Sequence, residues 1–159
     1  MDVSKLEKCE PKRLQDQTVT AVILALGSNY KAEYYLPHIR QQLTALGAVQ
    51  LSTSFQNPDF TATLEQPKLD YTNQGVYLLL DSPMTLQQLQ QMFKRLEGDC
   101  DRRRQADLTT IRQVTMDIDI LLIKLIDIEE WTVMADRYPF KAHESAGIVE
   151  LAAGRGFSF

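Results

Sequence analysis

The stretch VTMDIDILLIK, residues Val114–Lys124, is the clearest strand in the sequence and guides the interpretation of the chain around it. Side chains alternate along a strand, so Asp117 and Asp119 point to the same face. The alternate positions point to the opposite face and can enter a core: Met116, Ile118 and Ile120. Two adjacent carboxylates repel each other, and such pairs bind Mg²⁺ when phosphates and waters complete its coordination. The alternative from the pattern alone is that both carboxylates face solvent.

Upstream of this strand, the sequence predicts a buried strand followed by an amphipathic helix. Thr18–Leu26 is rich in Val, Ile, Leu and Thr, and the turn-favouring residues 27–29 (Gly-Ser-Asn) end it. The helix is predicted by apolar residues at spacings of 3, 4 and 3: Leu36, Ile39, Leu43 and Leu46. Pro37 suits the first turn of this helix, and Gly47 stands where its C-terminal cap should be.

The remaining periodic segments complete the order of elements. They predict strands at 50–55 and 70–80, a helix from a capping-box pattern (Thr85 with Gln88) to about Glu97, and a tail helix near 144–152. The order strand, helix, strand, strand, helix, strand is typical of the α+β, ferredoxin-like sandwich, an antiparallel sheet with helices packed on one face. Two long polar loops, residues 56–70 and 98–112, are predicted to project from this sheet and to carry binding residues.

Length, composition and charge limit the kind of protein this can be. The chain has 159 residues, and we predict a charged extension at residues 1–17 before a single domain at residues 18–159. The net charge of −4 and the pI near 5.2 disfavour a nucleic-acid binder. No apolar run approaches the ~20 residues that cross a membrane, and two cysteines do not make a disulfide scaffold. We expect a cytoplasmic monomer that binds neither nucleic acid nor membranes.

A basic run precedes the Asp-x-Asp strand in an otherwise acidic chain. Arg102, Arg103 and Arg104 stand together, and Arg112 lies nearer the strand. Guanidinium groups bind phosphate oxygens in a bidentate manner, so beside two carboxylates this run favours a phosphate site. Within residues 97–112, four acidic residues match the four arginines, so a solvated loop is the alternative. The glycine-rich nucleotide-binding motifs of P-loop and dinucleotide-binding proteins are absent from the sequence.

Three segments together resemble the motifs of one enzyme family. They are Ala25–Asn29 (ALGSN), Asp70–Asn73 (DYTN) and Thr115–Ile120 (TMDIDI). In this order they resemble 6-hydroxymethyl-7,8-dihydropterin pyrophosphokinase, an enzyme of folate biosynthesis, with weaker matches at Leu96-Glu97 and Glu150–Ala152. The resemblance implies a ferredoxin-like fold with long active-site loops. It also implies transfer of the β,γ-diphosphate of ATP to the hydroxymethyl group of a pterin, with release of AMP.

The resemblance also implies roles for individual residues. It implies that Asp117 and Asp119 are catalytic and hold two Mg²⁺ ions between the ATP phosphates and the pterin hydroxyl, with Arg112 as a further catalytic residue. The residues that it implies for the pterin are Gly27, Tyr71, Asn73 and His143. Those that it implies for the nucleotide are Glu97, Arg102, Arg104, Ile118 and Lys141.

The sequence departs from the family pattern just before the two aspartates. Residues 111–114 (Ile-Arg-Gln-Val) stand where the family has Trp-Gly-Pro-Arg, so Val114 replaces the last arginine. Arg112 lies two residues earlier, which keeps strand parity but displaces it by roughly 6.6 Å. Lys141 stands at the place of an arginine in the tail and supplies charge without the guanidinium fork. Losing one such contact costs on the order of a thousandfold in rate.

Three interpretations follow from this pattern. The first is a working pyrophosphokinase that uses ATP, a pterin and Mg²⁺. The second is a catalytically impaired homologue that keeps a pterin- or nucleotide-binding pocket, which the loss of arginines favours. The third is a plain interaction domain in which Asp117 and Asp119 are solvated and the arginine run touches a protein partner.

Overall fold

A six-stranded sheet carries the described part of the chain, which is residues 2–58, 63–65, 69–100 and 113–155 of a computed structural model. The strands are β1 (Lys8–Cys9), β2 (Thr18–Ser28), β3 (Gly47–Asn57), β4 (Tyr71–Thr85), β5 (Asp117–Leu125) and β6 (Thr132–Met134). The helices are α1 (Ala32–Thr44), α2 (Leu86–Asp99) and α3 (Ala142–Arg155), besides two short 3₁₀ helices at Val3–Lys5 and Pro11–Arg13. No helix among these residues is long and apolar enough to span a bilayer.

The strand order is β1-β6-β5-β2-β4-β3. The four strands β5-β2-β4-β3 are antiparallel throughout, as predicted for the ferredoxin-like sandwich. β6 extends this sheet in antiparallel fashion beyond β5, and β1 then pairs parallel with β6. The predicted α+β, ferredoxin-like class is therefore confirmed, with a two-strand addition at one edge that makes the sheet mixed.

Helices cover both faces of the sheet, so the expectation of helices on one face is wrong. α1 and α2 bury the face of β2 that carries Leu24 and Leu26, in one hydrophobic cluster. α3 contributes Ile148 to a second cluster on the opposite face, together with Ile23. The physical reason lies in β2 itself, because from Ala21 to Ser28 every residue is buried, on both faces. A strand buried on both faces requires a layer on each side.

Several boundaries differ from the sequence prediction. β2 runs through Gly27 to Ser28, two residues into the predicted turn. α1 begins at Ala32, so Pro37 lies inside the helix and not in its first turn. α1 also ends before Gly47, which is the first residue of β3 and not a helix cap. In α2, by contrast, the predicted capping box is present, because Thr85 and Gln88 exchange both hydrogen bonds.

The N-terminal segment, for which the sequence predicts only a charged extension, joins the edge of the sheet through β1. β1 pairs with β6, and the backbone N–H of Val133 donates to the carbonyl of Glu7 at 2.9 Å. Leu6 packs into the hydrophobic cluster that contains Trp131. These contacts anchor the segment beside the cleft described below. The division into an extension at 1–17 and one domain at 18–159 stays a prediction.

Candidate active site

A cleft of about 910 Å³ opens at the ends of β2, β4 and β5, and its wall continues onto α2 and the segment after β6. Nine of the residues predicted for the site line it: Gly27, Tyr71, Asn73, Glu97, Asp117, Ile118, Asp119, Lys141 and His143. The predicted Arg102, Arg104 and Arg112 lie outside the described residues. The structure thus brings together residues that are up to 116 positions apart (27 to 143) in the sequence.

A row of three residues crosses the floor of the cleft. Gly27 of the central strand β2 is in register with Asn73 on β4 and with Asp117 on β5. Neighbouring strands lie about 4.8 Å apart, so the backbones of Asn73 and Asp117 are separated by roughly 10 Å. A Cβ on Gly27 would lie 3.0 Å from Asn73 Oδ1 and 3.6 Å from Tyr71 Cδ1. The glycine therefore leaves a flat, open floor between an amide and a carboxylate.

The two aspartates share one face of β5, as strand alternation predicts. Ile118, between them, is buried in the cluster under α1 and α2. Its backbone N–H donates to Glu97 Oε2 at 2.8 Å. This bond ties the last turns of α2 to the strand at the point where the carboxylates emerge. Glu97 therefore holds the orientation of Asp117 and Asp119, in addition to lining the cleft.

The cleft carries more negative than positive charge around Asp119. Burial raises the pKa of the Asp119 carboxyl to about 6, the guanidinium of Arg137 opposes this rise, and the charges of Asp117, Glu144 and Glu97 add to it. A cation is therefore the partner that this site favours, and carboxylate oxygens are the ligands that Mg²⁺ prefers. No group of three or more His, Cys, Asp or Glu residues able to hold a metal occurs within the described ranges. The donor set fits Mg²⁺ ions that take further ligands from phosphates and water.

Replacing Asp119 by asparagine is expected to stabilise the metal-free protein. Because burial raises the pKa of Asp119 above its ordinary value of 3.8, its ionisation costs no folding free energy below 3.8. The cost grows as the pH rises from 3.8 to about 6 and stays constant above that. Asp119→Asn should raise the free energy of unfolding by about 1–3 kcal/mol at mildly alkaline pH. Urea unfolding in the presence of a chelator, repeated at decreasing pH, measures this. A gain that does not shrink as the pH falls towards 3.8 would contradict the burial of this charge.

The start of α3 places the tail residues at the cleft. Glu144 is buried, and its Oε1 accepts a hydrogen bond from the backbone N–H of Lys141 at 2.8 Å, which closes the N-terminus of the helix. His143 lies in the same first turn and is partly buried. Burial lowers the pKa of its imidazole below the ordinary value, so the ring is mainly neutral at pH 7. A neutral, partly buried ring can stack on an apolar ligand.

Val114 does not line the cleft. Its side chain is fully buried, its backbone N–H donates to Asn29 Oδ1 at 2.5 Å, and its carbonyl accepts the N–H of Asn29 at 2.9 Å. Asn29, the last residue of the predicted turn, thus fixes the approach to β5. The cleft therefore receives no charge from position 114.

Sequence reasoning missed several residues that line the cleft. The guanidinium Nη2 of Arg137 lies 2.9 Å from Asp119 Oδ1. The buried amide nitrogen Nδ2 of Asn57 makes no hydrogen bond within the described structure. Lys94 on α2 and Gln15 of the N-terminal segment also line the cleft. The only available sequence signal was polarity, since Arg137 follows a three-residue strand too short to show a period.

Comparison with known proteins places the sequence in a family. No curated protein matches it. A model of the family 7,8-dihydro-6-hydroxymethylpterin-pyrophosphokinase (HPPK) matches residues 23–143. This range contains most of the chain, including the floor of the cleft and the carboxylate strand β5. Because the match covers more than half of the chain, the chain belongs to the 7,8-dihydro-6-hydroxymethylpterin-pyrophosphokinase family.

Proposed function

We propose that this protein transfers the β,γ-diphosphate of ATP to 6-hydroxymethyl-7,8-dihydropterin and releases AMP, as a step of folate biosynthesis. The observation that carries the proposal is the row Asn73, Gly27 and Asp117 across three adjacent strands. In this row, the amide of Asn73 is suited to hydrogen-bond a heterocyclic ring, Gly27 leaves a flat floor for it, and the carboxylate of Asp117 is suited to bind a metal ion. Family membership supports the reaction class.

The pterin would lie over Gly27 with its ring directed towards Asn73. The Asn73 amide can pair with the ring's donors and acceptors, and Tyr71 lies beside the same floor. The neutral imidazole of His143 is available for stacking at the edge of the cleft. The unpaired Nδ2 of Asn57 supplies a further buried donor, which a ring carbonyl or nitrogen would satisfy. Directing the hydroxymethyl group towards the carboxylates would bring its oxygen close to the triphosphate bound there.

Asp117 and Asp119 would hold Mg²⁺, which when bound neutralises the charge of the triphosphate. The hydroxymethyl oxygen forms a bond to the β-phosphorus, the bond from the β-phosphorus to the bridging oxygen of the α-phosphate breaks, and that oxygen leaves on AMP. The hydroxyl proton is released to water. Lys94 and Lys141 line the cleft and supply positive charge for the phosphates. Arg102, Arg104 and Arg112 are proposed to add the guanidinium contacts.

Replacing Gly27 by alanine is expected to weaken pterin binding about tenfold, because the new methyl group would displace Asn73 and raise the floor. The measurement is a fluorescence titration with the dihydropterin, accompanied by the melting temperature. Gly98→Ala is the matched control, since a Cβ at Gly98 meets no atom within 4 Å. Equal pterin affinity in the Gly27→Ala and control variants would remove Gly27 from the binding floor.

The proposed function is tested by AMP release from ATP and Mg²⁺, with and without 6-hydroxymethyl-7,8-dihydropterin. Pterin-dependent AMP supports the pyrophosphokinase. The second candidate is a pterin- or nucleotide-binding module without catalysis, and the buried Val114 at the place of a family arginine favours it. That candidate predicts pterin binding but no AMP from the folded protein. Absence of both pterin binding and AMP would instead indicate an interaction domain.

A further inference from the structure

Arg137 stands on the cleft wall in a position that allows it to move. It follows β6, and its backbone N–H donates to the carbonyl of Met134 at 3.0 Å, which fixes the turn. Its side chain is 45% exposed, and its Nε lies 3.8 Å from Asp136 Oδ2. The backbone is thus fixed, while the guanidinium lies at the surface of the cleft and can reach a ligand within it.

The partner of Arg137 is one of the two carboxylates proposed to bind metal. Nη2 lies 2.9 Å from Asp119 Oδ1, so the guanidinium supplies the positive charge that this carboxylate lacks among its acidic neighbours. A divalent cation bound to Asp119 would compete for that oxygen and repel the guanidinium. A displaced guanidinium in this cleft would then meet the phosphate oxygens that accompany the metal, which it binds bidentately.

We propose that Arg137 is a phosphate-binding residue that pairs with Asp119 in the free protein and transfers to the nucleotide phosphates when a divalent cation occupies Asp119. This inference rests on the proposed function, because it takes the metal-bound triphosphate as the ligand of the cleft. It gives the cleft a guanidinium from the segment after β6, while position 114 contributes none. Exchanging partners also keeps Asp119 paired before the substrate arrives.

The test compares two affinities in Arg137→Gln and in the wild-type protein. The first is for Mn²⁺ alone, followed by electron paramagnetic resonance, and the second is for α,β-methylene-ATP with Mg²⁺, followed by calorimetry. Arg137→Gln should bind Mn²⁺ about threefold more tightly, because the competing cation is gone. It should bind the metal–nucleotide complex about tenfold more weakly, because a charged hydrogen bond is lost. A merely structural residue would not change the two affinities in opposite directions.

Arg40→Gln is the matched control, because Arg40 lies on α1 outside the cleft lining and donates through Nε to the carbonyl of Leu36. Both of its affinities should equal those of the wild type. Unchanged affinities in Arg137→Gln, a loss of both, or a wild-type protein that binds neither probe would each overturn the inference. The failure of the proposed function is seen separately, as wild-type protein that binds both probes and forms no AMP with the pterin.

Discussion

Asp117→Asn and Asp119→Asn are each expected to lower pterin-dependent AMP formation by at least about a thousandfold. Both carboxylates emerge from the same face of β5 into the cleft, with Ile118 anchored between them through Glu97. Asparagine keeps the size of the side chain but removes the charge that attracts a divalent cation. Without that charge the site would lose the cation that positions the phosphates and neutralises their charge, while the packing of the fold is unchanged.

The measurement is single-turnover AMP release at saturating ATP, pterin and Mg²⁺, with the melting temperature recorded for each variant. Asp81→Asn serves as the control, because Asp81 is exposed on β4 and does not line the cleft. Its rate should equal that of the wild type. A rate within tenfold of wild type in either cleft variant would show that these carboxylates do not hold the metal.

The carboxylate pair could be predicted because the signal is local. Strand alternation alone puts Asp117 and Asp119 on one face, and the structure has Ile118 buried on the other. The start of α2 could be predicted for the same reason, because Thr85 and Gln88 form the capping box that their spacing indicates. Such features depend on residues a few positions apart, whose geometry is set by the strand or helix that contains them.

The residues that escaped prediction depend on tertiary pairing. β6 has three residues and β1 has two, which is too short for a period. β6 forms because it pairs with β5, and β1 because it pairs with β6. Arg137 lies three residues after the end of β6 and reaches Asp119 only because β6 pairs with β5. The second helical layer was missed for a related reason. The unbroken apolar run of β2 signals burial on both faces, but it does not say which helix covers each face.

Gly47 is a single residue whose role also depends on tertiary pairing and could not be predicted from the local sequence. The sequence places it as a helix cap, where its backbone freedom would be used. In the structure it opens β3, and a Cβ there would lie 1.9 Å from the carbonyl oxygen of Leu79 and 3.0 Å from the backbone nitrogen of Asp81. The reason for glycine is therefore the close approach of β4, a partner more than thirty positions away in the chain.

Gly47→Ala is accordingly expected to destabilise the protein by about 3 kcal/mol or more, because two backbone strands must separate to admit one methyl group. Urea unfolding measures the difference. A glycine needed only as a helix cap would cost about 1 kcal/mol on the same exchange.

Gly98→Ala provides the opposite expectation within the same chain. Gly98 lies in α2, and a Cβ there meets no atom within 4 Å, so alanine should stabilise the protein by about 0.5–1 kcal/mol through its higher helix propensity. The two variants make the same chemical change with effects of opposite sign. If Gly47→Ala unfolds at the same urea concentration as the wild type while Gly98→Ala is stabilised, β3 does not approach β4 as closely as the structure has it. The floor row of Gly27, Asn73 and Asp117 would be unaffected by that result, because it depends on the pairing of β2 with β4 and β5.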